Sequence, residues 1–282
     1  MTKVTPDMVK ELRERTGVGM GKCKEALDQA LGNMEEAITL LRKAGMASAV
    51  KKEGRETKEG IIGHAEESDA IALVEINSET DFVAQNDRFR QFVRDIAEEV
   101  ADTKPASLEA FLAQKYSKDP SVTIDQYRAL VIQSLGENIQ IKRIGIYPKA
   151  KDRSLGIYSH MGGKIVTLAE IQGASGVEAL ARDIAMHIAA ESPDYLNSDE
   201  VPSDVKAREE EIARSQITGK PENIVGKIVE GKMKTFYASV CLLDQKFVKD
   251  NSITIADLVA KEGKSLGKPL VLRRFIRWKI GE

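Results

Sequence analysis

The sequence predicts an α+β fold: a small N-terminal three-helix module, then two related subdomains of antiparallel sheet covered by helices, the second carrying an inserted antiparallel helical hairpin. Three observations carry that prediction. Through the first 50 residues apolar side chains recur at helical spacing. Two later stretches then run in the same order, with a hairpin, an amphipathic helix and a basic strand, and both helices contain Arg-Asp-Ile-Ala. Inside the second stretch lies a polar helical pair broken at Gly219-Lys220-Pro221.

The elements follow in order. Thr5 then Pro6 makes an N-cap with proline at the first helical position, backed by Met8, Val9 and Leu12. After the break at Thr16-Gly17, Cys23, Ala26, Leu27, Ala30 and Leu31 repeat at helical spacing up to Gly32, a C-cap. Asn33 with Glu36 opens a third helix, whose stripe of Ile38, Leu40 and Leu41 runs to Gly45. The module takes residues 1–50, and residues 51–60, which contain no apolar side chain, read as a linker.

Residues 61–150 form the first subdomain. Segments 61–65 and 70–77 pair as a hairpin, Phe89, Phe92, Val93, Ile96, Ala97 and Val100 line one face of a helix, and a strand with Lys142 and Arg143 follows. Residues 151–282 repeat the scheme. Segments 155–160 and 165–172 flank the turn Met161-Gly162-Gly163, a helix carries Val177, Leu180, Ala181, Ile184 and Ile188, and a strand holds Arg273, Arg274 and Arg277. The helical hairpin occupies about 204–237. Spacing leaves two readings of it open: it projects and pairs with another chain, or it packs on its own domain.

The two copies differ in one place. Between central strand and helix the first copy is about seven residues longer, and the addition is Ser78-Glu79-Thr80-Asp81-Phe82-Val83-Ala84 or close to it. A loop with phenylalanine and valine beside an acid, at the end of a strand, is a contact tip for a partner. The competing reading is that Phe82 and Val83 plug the local core, since apolar loop residues usually pack inward.

Composition narrows the class. Net charge is −2 and the signs are intermixed, so the basic excess of a nucleic-acid binder is missing, whatever Arg273, Arg274 and Arg277 suggest locally. Cys23 and Cys241 are too few and too far apart for a disulfide scaffold or a thiolate metal site, which points to reduced thiols in the cytoplasm. The first residues lack the apolar stretch of a signal peptide, and no segment is long and apolar enough for a membrane span. Catalytic motifs fail one by one. Gly17-Val18-Gly19-Met20-Gly21 lies between helices, with no strand before it. Gly263-Lys264-Ser265 has Leu258 where a phosphate loop needs glycine. His64, His160 and His187 lack metal-ligand spacing, and His187 reads as a packed structural histidine. The expectation is a cytoplasmic binding protein, not an enzyme, without cofactor or metal and without direct contact to nucleic acid or membrane.

Two segments resemble signatures of the bacterial elongation factor Ts family: residues 12–27, Leu-Arg-Glu-Arg-Thr-Gly-Val-Gly-Met-Gly-Lys-Cys-Lys-Glu-Ala-Leu, and residues 75–84, Glu-Ile-Asn-Ser-Glu-Thr-Asp-Phe-Val-Ala. Gly136-Glu137-Asn138-Ile139, Tyr158-Ser159-His160, Met186-His187-Ile188-Ala189-Ala190 and Gly219-Lys220-Pro221 are similar to the family too, so the likeness covers nearly the whole chain. The resemblance implies a UBA-like N-terminal module and guanine-nucleotide exchange on elongation factor Tu. It implies partner contacts by Arg13, Met20 and Lys24 of that module, and intrusion of Thr80, Asp81, Phe82 and Val83 near the partner's magnesium and phosphates. It also implies a contact by His160 of the second subdomain, and homodimerisation through the helical hairpin. The chain departs from the family pattern at Gly21 and Lys22, where methionine and aspartate are common, at Gln85 in place of lysine, and at Met161 in place of glycine.

Overall fold

A computed structural model describes residues 4–218 and 220–282. Residues 1–3, and Gly219 of the turn Gly219-Lys220-Pro221, lie outside the described residues. Helices combine with antiparallel sheets, an α+β architecture. The contacts group the chain into two compact units, Met1–Pro148 with Gly162–Lys164 and Lys279–Glu282, and Lys149–Met161 with Ile165–Trp278. Among the described residues no helix is long and apolar enough to cross a membrane.

The first unit opens with α1 (Pro6–Thr16), α2 (Met20–Gln29) and α3 (Met34–Lys52). Their caps are those the sequence predicts at two starts: the Thr5 hydroxyl accepts from the Met8 N–H and the Asn33 side chain from the Glu36 N–H. Two boundaries differ. α2 stops at Gln29, and Leu31 is exposed with a left-handed backbone (φ 51°), so it does not belong to the buried stripe. α3 runs through Gly45 to Lys52, and the next strand, β1 (Glu59–Glu66), takes up Glu59 and Gly60. Residues 51–60 are therefore regular at both ends. Lys51 and Lys52 are good helix formers, and a polar composition alone does not distinguish a linker from an exposed helix end.

β1 pairs with β2 (Ala70–Ser78), from Glu59 opposite Ser78 to Glu66 opposite Ile71. Then come α4 (Asp81–Gln85), α5 (Asp87–Thr103), α6 (Leu108–Ala113), the short pair β3 (Lys115–Tyr116) and β4 (Asp119–Thr123), α7 (Ile124–Leu135) and β5 (Ile139–Pro148). The sheet order is β1-β2-β5. Phe89, Phe92, Ile96 and Val100 of α5 pack with Val74 and Ile76 of β2 and with Ile124 and Ile132 of α7 in one core. Gly45 explains why α3 continues across it: it faces α7, where a Cβ would stand 3.3 Å from the Ala129 carbonyl oxygen.

The second unit holds β6 (Arg153–His160), β7 (Ile165–Gln172), α8 (Glu178–Glu191), α9 (Ser203–Ser215), α10 (Glu222–Val240), β8 (Lys246–Phe247), β9 (Asp250–Thr254), α11 (Ile255–Leu266) and β10 (Val271–Lys279). Its sheet order is β10-β7-β6, with the second hairpin strand central, as in the first unit. Ile171, Ile184, Ile188, Leu242, Ile255 and Leu272 centre its core, and Ala213, Val229 and Met233 form a smaller cluster between α9 and α10.

The parallel between the units extends to elements that spacing alone misses, because two-residue strands have no periodicity to read. β3, β4 and α7 correspond to β8, β9 and α11, and Thr123 and Thr254 each cap the following helix in a capping box. Lys118 pairs with Asp95 at 2.9 Å, and Lys249 pairs with Asp183 at 2.7 Å. One helical turn further along, the Glu99 carboxylate accepts the Ser117 N–H at 3.1 Å, while Nδ1 of His187 accepts the Val248 N–H at 3.2 Å. Different side chains hold the same turn.

Candidate partner-binding site

The segment after β2 is not an irregular loop. Thr80 caps the five-residue helix α4, its hydroxyl oxygen accepting from the Val83 N–H at 3.4 Å. One face of α4 is core, with Val83 and Ala84 buried among the side chains of α5 and β2. The other face carries Asp81 and Phe82 into solvent, and Phe82 is 83% exposed. The two sequence readings of this segment divide between neighbours: Val83 plugs the core, and Phe82 is the free apolar tip. Val83 therefore has no surface to offer a partner in this conformation. The boundary between the solvent side and the buried side of this short helix falls between Phe82 and Val83.

The helix is tied down from across the sheet. Ser78 stands opposite Ile139 in the β2–β5 register, which sets Glu79 beside Asn138. The Glu79 carboxylate accepts the Asn138 N–H at 2.5 Å, and the Glu137 carboxylate accepts the Thr80 N–H at 3.0 Å and its hydroxyl at 2.6 Å. The Ser78 hydroxyl donates to the Thr80 carbonyl at 2.9 Å, and the Asn138 amide donates to the Arg55 carbonyl at 2.9 Å. Glu137 is a residue that sequence reasoning passes over. It lies in a segment quoted for its resemblance, but its partner is 57 positions away in the chain and no periodicity links them.

Arg13 lies exposed in the last turn of α1, Met20 opens α2 half exposed, and Lys24 lies exposed one turn further along α2. Residues four apart on a helix share a face, so Met20 and Lys24 point the same way. Arg13 lines a cleft of about 580 Å³ with Lys10, Gly17, Arg88 and Ser134, and Asn86, just past α4, lines it too. Gly17 is required there twice over. It is left-handed (φ 65°), and any Cβ would fall 1.2 Å from the Arg88 guanidinium, which donates to the Thr16 carbonyl at 2.7 Å. Burial pushes the Arg88 pKa down from the usual arginine value. The Ser134 hydroxyl closes the turn from α7, donating to the Gly17 carbonyl at 2.8 Å.

His160, in the second unit, is exposed at the end of β6 and lies 3.4 Å from the Tyr158 hydroxyl through Nδ1, their rings stacked at 6.0 Å. Met161 beside it is 70% exposed and left-handed (φ 50°), a conformation that glycine adopts at lower cost. His187 is fully buried between Gln245 and the Val248 amide, a structural histidine whose pKa burial pushes down. Arg274 is engaged with the buried Glu170 at 2.5 Å. Among the described residues no group of three or more His, Cys, Asp and Glu side chains is placed to hold a metal ion.

Comparison with known proteins gives the family. The family model described as Elongation factor TS matches residues 79–282. The chain is 61% identical over 282 residues to the elongation factor Ts of Protochlamydia amoebophila (strain UWE25), covering all of both chains. It is 48% identical over 281 residues to that of Chlamydia caviae (strain ATCC VR-813 / DSM 19441 / 03DC25 / GPIC) and 45% identical over 281 residues to that of Chlamydia muridarum (strain MoPn / Nigg), again end to end. With a family model over most of its length and relatives this similar over all of it, the chain belongs to the elongation factor Ts family.

Proposed function

We propose that this protein promotes release of GDP from elongation factor Tu, so that GTP can rebind during protein synthesis, and that it does so by intrusion, without covalent chemistry. The observation that carries the reading is Phe82: a large ring almost fully in water, on a short helix whose other face is locked into the core. A large aromatic ring held in water on a fixed support can bury itself against a partner with little ordering cost. A magnesium ion bridging nucleotide phosphates supplies much of a GTPase's hold on GDP. A ring wedged beside that site shifts the ion's ligands, and the hold weakens. Linkage requires the converse: bound GDP weakens the partner's grip on this protein by the same factor.

The remaining surfaces divide the labour. Arg13, Met20 and Lys24 of the three-helix, UBA-like module dock on the nucleotide-binding domain of the partner, Thr80 and Asp81 flank the wedge, and His160 of the second subdomain holds another part of it. The module at 1–50, the subdomains at 61–150 and 151–282, and the hairpin at about 204–237 act as related but separate parts of that grip. α9 and α10 expose Ile212 and Ile224, and pairing of this hairpin with a second copy would cover them. The site of action is the cytoplasm, with no direct contact to nucleic acid or membrane.

Release of fluorescent GDP from elongation factor Tu, followed with and without the protein, tests the reading. The expected result is release accelerated at least about tenfold over the free partner. An unchanged rate would sink it.

A further inference from the structure

We infer that Glu137, together with Glu79, is a positioning residue for exchange: the two carboxylates form a reciprocal clamp that aims the Phe82 ring. The inference rests on the exchange reading above. A helix of five residues does not hold itself, because nucleation fixes several dihedral angles for the first hydrogen bond. The position of α4 is therefore set from outside. Val83 and Ala84 anchor one side of it in the core. Its N-terminal end is set by charge. Glu137 uses both carboxylate oxygens on Thr80, one on the N–H at 3.0 Å and one on the hydroxyl at 2.6 Å. Glu79 answers in the opposite direction, accepting the Asn138 N–H at 2.5 Å. Adjacent residues on each segment thus exchange one acceptor and one donor, and hydrogen bonds to an ionised acceptor are the strong ones. Glu137 reaches this place because α7 ends on the left-handed Gly136 (φ 85°) and β5 begins two residues after Glu137.

The second unit is the internal control. After the left-handed Gly267 that ends α11, Lys268 and Pro269 stand where Glu137 and Asn138 stand in the first unit. Lysine offers no acceptor and proline no N–H, so no clamp can form. The chain closes directly instead: a Cβ on Gly173 would meet the Pro269 carbonyl oxygen at 2.0 Å. The clamp exists only in the unit that carries the exposed ring.

The test is a double-mutant cycle on GDP release from elongation factor Tu. Glu137→Gln keeps the size of the side chain but sets an amide N–H₂ against one of the two Thr80 donors. We expect the maximal release rate to fall about tenfold while the half-saturating concentration moves less than about twofold, since the docking contacts are untouched. In the Phe82→Ala background the same change should cost less than about twofold, because a clamp that acts through the ring has nothing left to aim. Glu79→Gln, the other half of the clamp, should repeat the pattern, and it serves if Glu137→Gln lowers the folded fraction seen by circular dichroism. Release by the clamp variants as fast as by the parent, or losses that multiply with Phe82→Ala, would overturn the clamp alone. A parent protein that leaves GDP release unchanged would overturn the exchange reading, and the clamp with it.

Discussion

The two strand-to-helix crossings start from the same plan and end differently. In the second unit β7 reaches α8 through Gly173-Ala174-Ser175-Gly176-Val177, with two left-handed glycines and no side-chain cap on the helix. In the first unit β2 reaches α5 through a clamped turn, the capped helix α4 and a second cap at Asn86. The additions there, two caps and a carboxylate clamp, fix the backbone on either side of one exposed ring. Glycine makes the short crossing cheap in space, whereas carboxylates and caps make the long one precise in direction. An insertion meant only to lengthen a loop needs neither.

The largest effect that could undo this contrast is at Phe82. Phe82→Ala should slow catalysed GDP release at least about tenfold and shift folding stability by less than about 0.5 kcal/mol, because the ring is in water in the free protein. Stopped-flow release and urea unfolding read the two quantities separately. Normal exchange by this variant would show that the long crossing serves something other than its ring. Its neighbour should behave in the opposite way. Val83→Ala removes buried methyl groups and should cost about 1–2 kcal/mol in urea unfolding, with exchange reduced only as far as α4 loosens. A variant as stable as the parent would remove Val83 from the anchor.

Much of this was legible in the residues, and the limits were physical. The hairpins, α5, α8 and the N-terminal caps at Thr5 and Asn33 announce themselves through periodicity and local chemistry, which depend on neighbours within four residues. The added segment was visible because a sister copy was present to compare. Its conformation was not, since a five-residue helix is too short for a period and its stability is tertiary. Assigning Phe82 and Val83 to one surface missed the helix that sends them apart. Glu137 and Arg88 stayed hidden because each acts on a backbone group more than fifty residues away. Lys51 and Lys52 end α3, where the sequence predicts a linker, because charge alone cannot mark where a helix ends.

The smallest expected effect lies where the units use different side chains for one task. Glu99 in the first unit and His187 in the second each accept a backbone N–H from the turn of the adjacent strand pair. His187 can do so only while neutral, because Nδ1 must be an acceptor, which leaves the proton on Nε2 to face Gln245 at 3.0 Å. Burial pushes its pKa below the ordinary value near 6.5, outweighing the Gln245 hydrogen bond and the charge of Glu191, which raise it. A pKa depressed in the folded state means the unfolded chain binds more protons, so stability rises with pH. The contribution is complete above about pH 6.5 and is lost as pH falls from there toward the folded pKa, with a slope of at most about 1.4 kcal/mol per pH unit. His64, also depressed by burial, adds a term of the same sign in the same window from the first unit. The groups with lowered carboxyl values, such as Glu178 and Asp257, act only below that range. His187→Gln should therefore flatten, without abolishing, the fall in denaturation midpoint between pH 7 and about pH 5.5. Identical pH profiles for the variant and the parent would mean that the buried imidazole stays neutral throughout that window or that its turn gives way first, and the two units would then be alike in this respect as well.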